Sequence, residues 1–75
     1  ESMTPMDFFK KATIGSMVRY GRPDLPLVKV TFIVRDRMYA HGVEERTGRL
    51  VFLILDNHKL NDPNRGHFDS VDILE

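Results

Sequence analysis

Leu50-Val51-Phe52-Leu53-Ile54-Leu55 limits the folding of this chain more than any other feature: six apolar residues without a polar break, in a polypeptide of 75. A strand wetted on one side alternates apolar and polar residues, whereas an unbroken run belongs to a strand covered on both faces. Covering material is scarce, because so short a domain buries only about 60% of its unfolded surface. One face of the run can pack on neighbouring strands. The other then needs the N-terminal helix or a second subunit. Val51, Leu53 and Leu55 are therefore expected to mediate self-association as a homodimer, and Phe52→Ala is expected to cost roughly 3–5 kcal/mol.

The length fits one small domain and excludes a dinucleotide-binding fold. The apolar run is far shorter than the roughly 20 residues of a membrane helix, so no membrane association is expected. There is no cysteine, hence no disulfide, which fits a reducing compartment. The start shows no basic segment followed by an apolar stretch, and the expected location is cytoplasmic. The domain is expected over 4–74, with 1–3 an N-terminal extension in which Glu1 and Ser2 ahead of Met3 are a cloning remnant.

Thr4-Pro5-Met6-Asp7 reads as a helix start: Thr caps, Pro suits the first helical position, and Asp favours the free amides. Lys10 and Lys11 near the other end and Gly15 as a left-handed stop predict a helix over about 5–14, with Met6, Phe9 and Thr13 on one face. Met17-Val18-Arg19-Tyr20 is a short strand. The breaker Gly21 to Pro26 follows, and then an alternating strand with Val28, Val30, Phe32 and Val34 on one side. Met38 to Val43 continues as a strand in which Gly42 suggests a bulge. Glu44 to Gly48 reads as a hairpin loop, Asp56 to Gly66 as a polar loop, and His67 to Ile73 as a last strand. The expected class is α+β: a short N-terminal helix followed by four or five short antiparallel strands, either an SH3-like small barrel or an open helix-on-sheet domain.

Catalysis is not expected. No cysteine is present, and Ser2, Ser16 and Ser70 lack a nucleophile elbow. There is no glycine-rich phosphate loop, and Glu44-Glu45 sits in an exposed hairpin tip. His41, His58 and His67 are too irregularly spaced for zinc, and Asp62-Pro63-Asn64-Arg65-Gly66 misplaces the glycine of a calcium loop. Neither a metal nor a cofactor is expected. Asn64-Arg65-Gly66-His67 resembles the Asp-Arg-Gly-His signature of the ββα-metal nucleases over four residues, with Asn in place of Asp. That resemblance implies a water-activating His67 and a helix carrying a metal-binding Asn, and no helix pattern follows.

Charge is balanced overall, at eleven basic and eleven acidic residues, but unevenly placed. Basic residues dominate from Lys10 to Arg49. Acids dominate after Leu50, through Asp56, Asp62, Asp69, Asp72 and Glu75. Lys29, Thr31, Arg35, Arg37, Tyr39 and His41 share one parity if no bulge intervenes, and Arg49 adds a further cation. Lys29, Arg35, Arg37, Tyr39, His41 and Arg49 are thus the candidate binding residues. The leading expectation is a non-enzymatic regulatory or accessory interaction module that binds another protein. The alternative is a nucleic-acid-binding regulator using the same basic and aromatic face.

Overall fold

The computed structural model describes residues 1–74; Glu75, part of the acidic tail, lies outside the described residues. The elements are β1 (Ser2–Met3), α1 (Pro5–Lys11), β2 (Met17–Arg19), β3 (Val28–Val34), β4 (Tyr39–Glu44), β5 (Leu50–Asp56), β6 (Lys59–Asp62), β7 (Gly66–Phe68) and β8 (Val71–Leu74). The strands form one antiparallel sheet in the order β1-β8-β2-β3-β4-β5-β6-β7. Only Asp69 and Ser70 separate β7 from β8, yet those strands stand near opposite ends of that order. Eight strands laid flat would span about 34 Å, whereas the longest dimension of the molecule is 28 Å. The sheet therefore curls into a half-barrel whose two ends approach each other. No helix among the described residues is long and apolar enough to cross a membrane.

The helix starts as its sequence predicts and ends earlier. The Thr4 hydroxyl accepts from the Asp7 amide at 3.2 Å, and Pro5 opens the first turn. Ala12 is already extended, at φ −64° and ψ 145°, so α1 stops at Lys11 rather than near residue 14. Gly15, at φ +97°, completes the following turn. Its buried face is Pro5, Phe8, Phe9 and Ala12, while Thr13 is exposed. That spacing of three, four and seven is the helical repeat, displaced from the Met6–Phe9–Thr13 face expected. Phe8 and Phe9 meet edge to face at 5.0 Å and seal the concave side of the sheet.

Val18, Val28, Val30, Ala40, Val51, Leu53, Leu60 and Val71 line that concave side, with Met3 and the helix aromatics completing the core. A bulge falls at Thr31: Val30 pairs with Gly42 and Phe32 with His41, leaving Thr31 as the extra residue. Gly42 was expected to bulge itself and instead lies opposite the bulge. Two residues of β3 facing one step of β4 reverse the parity of β3. Val28 and Val30 point inward, whereas Phe32 and Val34 join the outer face with Tyr39 and His41.

Three expectations change. There are eight strands, not four or five, because Ser2–Met3 forms β1, the stretch read as a loop folds as β6, and the last strand divides into β7 and β8. β5 and β6 are joined through Asn57 and His58, both at positive φ (51° and 65°), as a tight two-residue hairpin of matching twist requires. Residues 1–3 are more than an extension. Ser2 and Met3 pair with β8, Met3 is buried, and the Glu1 amino group donates to the Ile73 carbonyl at 2.8 Å.

Candidate functional site

The convex face of the central strands carries the most distinctive surface. In register across β4 and β5, Tyr39 lies opposite Ile54, His41 opposite Phe52, and Val43 opposite Leu50. Phe32 and Val34 extend the rows onto β3. The rings interlock: His41 stands 4.8 Å from Phe52, 4.9 Å from Tyr39 and 5.4 Å from Phe32, mostly edge to face. Such contacts add roughly 0.5–1.5 kcal/mol each and hold the rings in place. Leu50 remains 50% exposed, Phe32 46%, Phe52 39% and Ile54 38%. The only charged residues on this face of β3–β5 are Lys29 and Asp56, at opposite ends.

The six apolar residues of β5 therefore do not meet the same environment. Val51 and Leu53 are buried in the chain's own core and Leu55 packs against it. The three residues singled out for self-association thus point inward. The even-numbered Leu50, Phe52 and Ile54 are the ones left open, because α1 covers the concave side and none of the described residues covers the convex side.

The other candidate binding residues do not form one basic surface. Lys29 and Arg37 are exposed, and Tyr39 and His41 belong to the aromatic cluster. Arg35 is turned the other way. Its Nη1 donates to the carbonyls of Phe9 (2.8 Å) and Lys10 (3.0 Å), and its Nη2 donates to that of Ala12. The guanidinium thus caps the C-terminus of α1, where carbonyls have no partner within the helix and favour a cation. Arg49 lies 3.7 Å from Glu44 at the hairpin end.

A second cluster, missed from sequence, closes the half-barrel. Tyr20, the residue directly after β2, donates its phenol to Asp62 Oδ2 on β6 at 2.7 Å. Arg65 Nη2 donates to Glu44 Oε2 and to the Pro26 carbonyl, both at 2.8 Å, while its Nε faces Asp62 at 3.8 Å. The guanidinium carbon sits 4.8 Å over the Tyr20 ring, and Phe68 packs on the same ring at 5.2 Å. Burial, then the Asp62 acceptor and its charge, hold the Tyr20 phenol far above its ordinary pKa, so it stays protonated and keeps its proton for Asp62. The hydrogen bonds from Arg65 and then Thr47 hold Glu44 below the usual glutamate range. Apart from Arg65 Nη1, which is buried without a partner, these groups satisfy one another and tie the end of β2 to β4 and β6. Glu44, expected in an exposed hairpin tip, instead ends β4 facing inward and is only 6% exposed, because Arg65 and Thr47 reach it there.

The tetrapeptide at 64–67 is split by this arrangement. Arg65 is buried in the ion-pair cluster, and His67 stands at the surface 3.3 Å from Asp56. Strands follow where the nuclease resemblance implied a helix. Compared with protein-family models, with curated proteins and with solved structures, the chain matches none.

Proposed function

We propose that this chain is a non-enzymatic interaction module, a small barrel of SH3-like kind, that binds another protein and associates with itself through the convex face of β3, β4 and β5. The observation that supports it is the concentration of Phe32, Leu50, Phe52 and Ile54, each 38–50% exposed, on adjacent strands. Scattered apolar residues on a surface are ordinary, whereas a contiguous patch marks a contact site. Depleted charge and exposed aromatic rings favour a protein over a polyanion, which would require several free cations.

The magnitudes set the kind of association. Complete burial of such a side chain contributes about 1.5–3 kcal/mol, so covering the exposed portion of each yields about 1 kcal/mol. Two copies of the four residues give roughly 8 kcal/mol, similar to the 4–15 kcal/mol lost in translational and rotational freedom. The dimer is accordingly one that dissociates on dilution. Light scattering over a concentration series tests this: the mass should rise from 8.7 kDa towards about twice that, and Leu50→Lys/Phe52→Lys should remain at the lower value. A wild-type mass that stays monomeric at every concentration retires the self-association.

The exposed rings of Phe32 and Phe52 also suit base stacking, and this supports the second reading, a nucleic-acid-binding regulator. It predicts a salt-sensitive mobility shift lost in Lys29→Ala/Arg37→Ala. Arg35 is kept in that variant because it holds α1.

A further inference from the structure

His41 stands at the centre of the convex face. Across the strands it lies between Phe32 on β3 and Phe52 on β5, and Tyr39 is its neighbour along β4. Those three rings have their centres 4.8 to 5.4 Å from its own. Its Nε2 is buried and has no hydrogen-bond partner, while the residue as a whole is only half-buried. The two charge states of the ring make different demands on this place. Neutral imidazole can leave Nε2 bare and carry its single N–H on Nδ1, whereas imidazolium donates from both nitrogens. A buried N–H without an acceptor is unfavourable, and a buried charge more so. Histidine is also the side chain whose ordinary titration falls between pH 5 and 8.

The groups around His41 do not offset a charge on it. Tyr39 is the titratable neighbour on β4, and Lys29, a like charge, is the charged residue that β3 places on this face. On β5 the acid of this face is Asp56, four residues from Phe52 and so about 13 Å along the strand, with His67 of β7 already 3.3 Å from it. We propose that protonation of His41 opposes the self-association, so that the convex face pairs two copies at neutral pH and frees them on mild acidification. This rests on the self-association proposed above. A two-fold contact uses the same patch on both copies, so it encloses one His41 from each. In a single copy water reaches the ring from the open side. A second copy replaces that water with apolar side chains and brings another histidine. Charging both rings then incurs the desolvation of two cations and their mutual repulsion. Attraction between an imidazolium and the rings of its own copy is present before association as well as after it, so it does not shift the dimer equilibrium. Each dimer formed on the acid side must release two protons, and its Kd rises there by up to about a hundredfold per pH unit.

Sedimentation velocity of the wild-type chain over a concentration series, at about pH 7.5 and about pH 5.5, tests the proposal. The dimer Kd should be about tenfold or more higher at the lower pH. In His41→Gln, whatever association remains should change by less than about twofold over the same interval. A second readout needs no variant. The His41 ring signals, followed by NMR, should take up charge at lower pH in concentrated samples than in dilute ones, because dimerisation and the proton compete. A wild-type dimer whose Kd is the same or smaller at the lower pH overturns the proposal and leaves the self-association standing. A rise that persists in His41→Gln also overturns it, since His58 and His67 are the other histidines. A chain that stays monomeric at both pH values removes the proposal and the self-association together. Should His41→Gln fail to fold or to associate, the concentration dependence of the wild-type signals decides alone.

Discussion

Replacing Arg65 by methionine removes the cation that holds the open side of the half-barrel together, and the consequence can be worked from its contacts. Arg65, Glu44 and Asp62 have side chains only 6%, 8% and 1% exposed. Breaking a buried pair by deleting one partner typically costs 3–5 kcal/mol, because the remaining charge is stranded away from water. Losing the donor to the Pro26 carbonyl adds about 1 kcal/mol. Against this, Glu44 keeps the Thr47 hydroxyl at 2.8 Å and Arg49 at 3.7 Å, and Asp62 keeps Tyr20. A net loss of about 3 kcal/mol follows at pH 7, a large share of the roughly 4–11 kcal/mol expected for a domain of this size.

Urea unfolding followed by circular dichroism measures this loss, and its pH dependence identifies the cause. The folded-state pKa of Glu44 lies below its unfolded value, with Arg65 as the largest contributor. The stability from this interaction is fully present above the unfolded pKa, about 4.3, and is lost as pH falls through the lower folded value. The difference between wild type and Arg65→Met should therefore shrink on acidification from pH 7 to pH 3. The double variant Arg65→Met/Glu44→Gln should be less destabilised than the sum of its parts by at least about 1 kcal/mol. A loss under about 1 kcal/mol at pH 7, or a difference that does not change with pH, would refute the reasoning. If Arg65→Met does not fold at neutral pH, Glu44→Gln alone carries the same pH test.

Gly42→Ala places a Cβ 2.4 Å from Val28 Cγ1 and 2.9 Å from the Lys29 carbonyl oxygen; it should cost about 1–3 kcal/mol, read as a fall in Tm of about 4–8 °C per kcal/mol. Leu53→Ala, at a fully buried position, should cost about 2–5 kcal/mol in denaturant unfolding. Phe52→Ala, on the exposed side of the same strand, should cost about 2 kcal/mol from its buried part and its His41 contact, less than the strand pattern alone implied; an equal loss for the two would show that β5 is covered on both faces. Arg35→Ala should release three helix-end carbonyls, costing about 1–3 kcal/mol and lowering hydrogen-exchange protection of Phe8 and Ala12, whose amides close the helical turns.

What the sequence determined by itself was local. Thr4-Pro5 began the helix, because the capping oxygen and the fixed proline φ act within one turn. The strands read at 17–20, 28–34, 38–43 and 50–55 match β2 to β5 to within a residue at their ends, and Gly48 took the positive φ of its hairpin. The β5–β6 hairpin was hidden because Asn57-His58 lacks the glycine that usually marks such a turn. Tertiary structure decided which face of each strand is buried. One residue inserted at Thr31 shifts Phe32 outward, and neither its neighbours nor its hydrophobicity announce that change. It also decided that the apolar run of β5 divides into a core half and an exposed half, since curvature gives a sheet one concave side for a single helix to fill. The roles of Arg35 and Arg65 were likewise beyond the sequence. A cation is read as solvated until the fold brings distant carbonyls and carboxylates to it, here across 26 residues to Phe9 and 21 to Glu44.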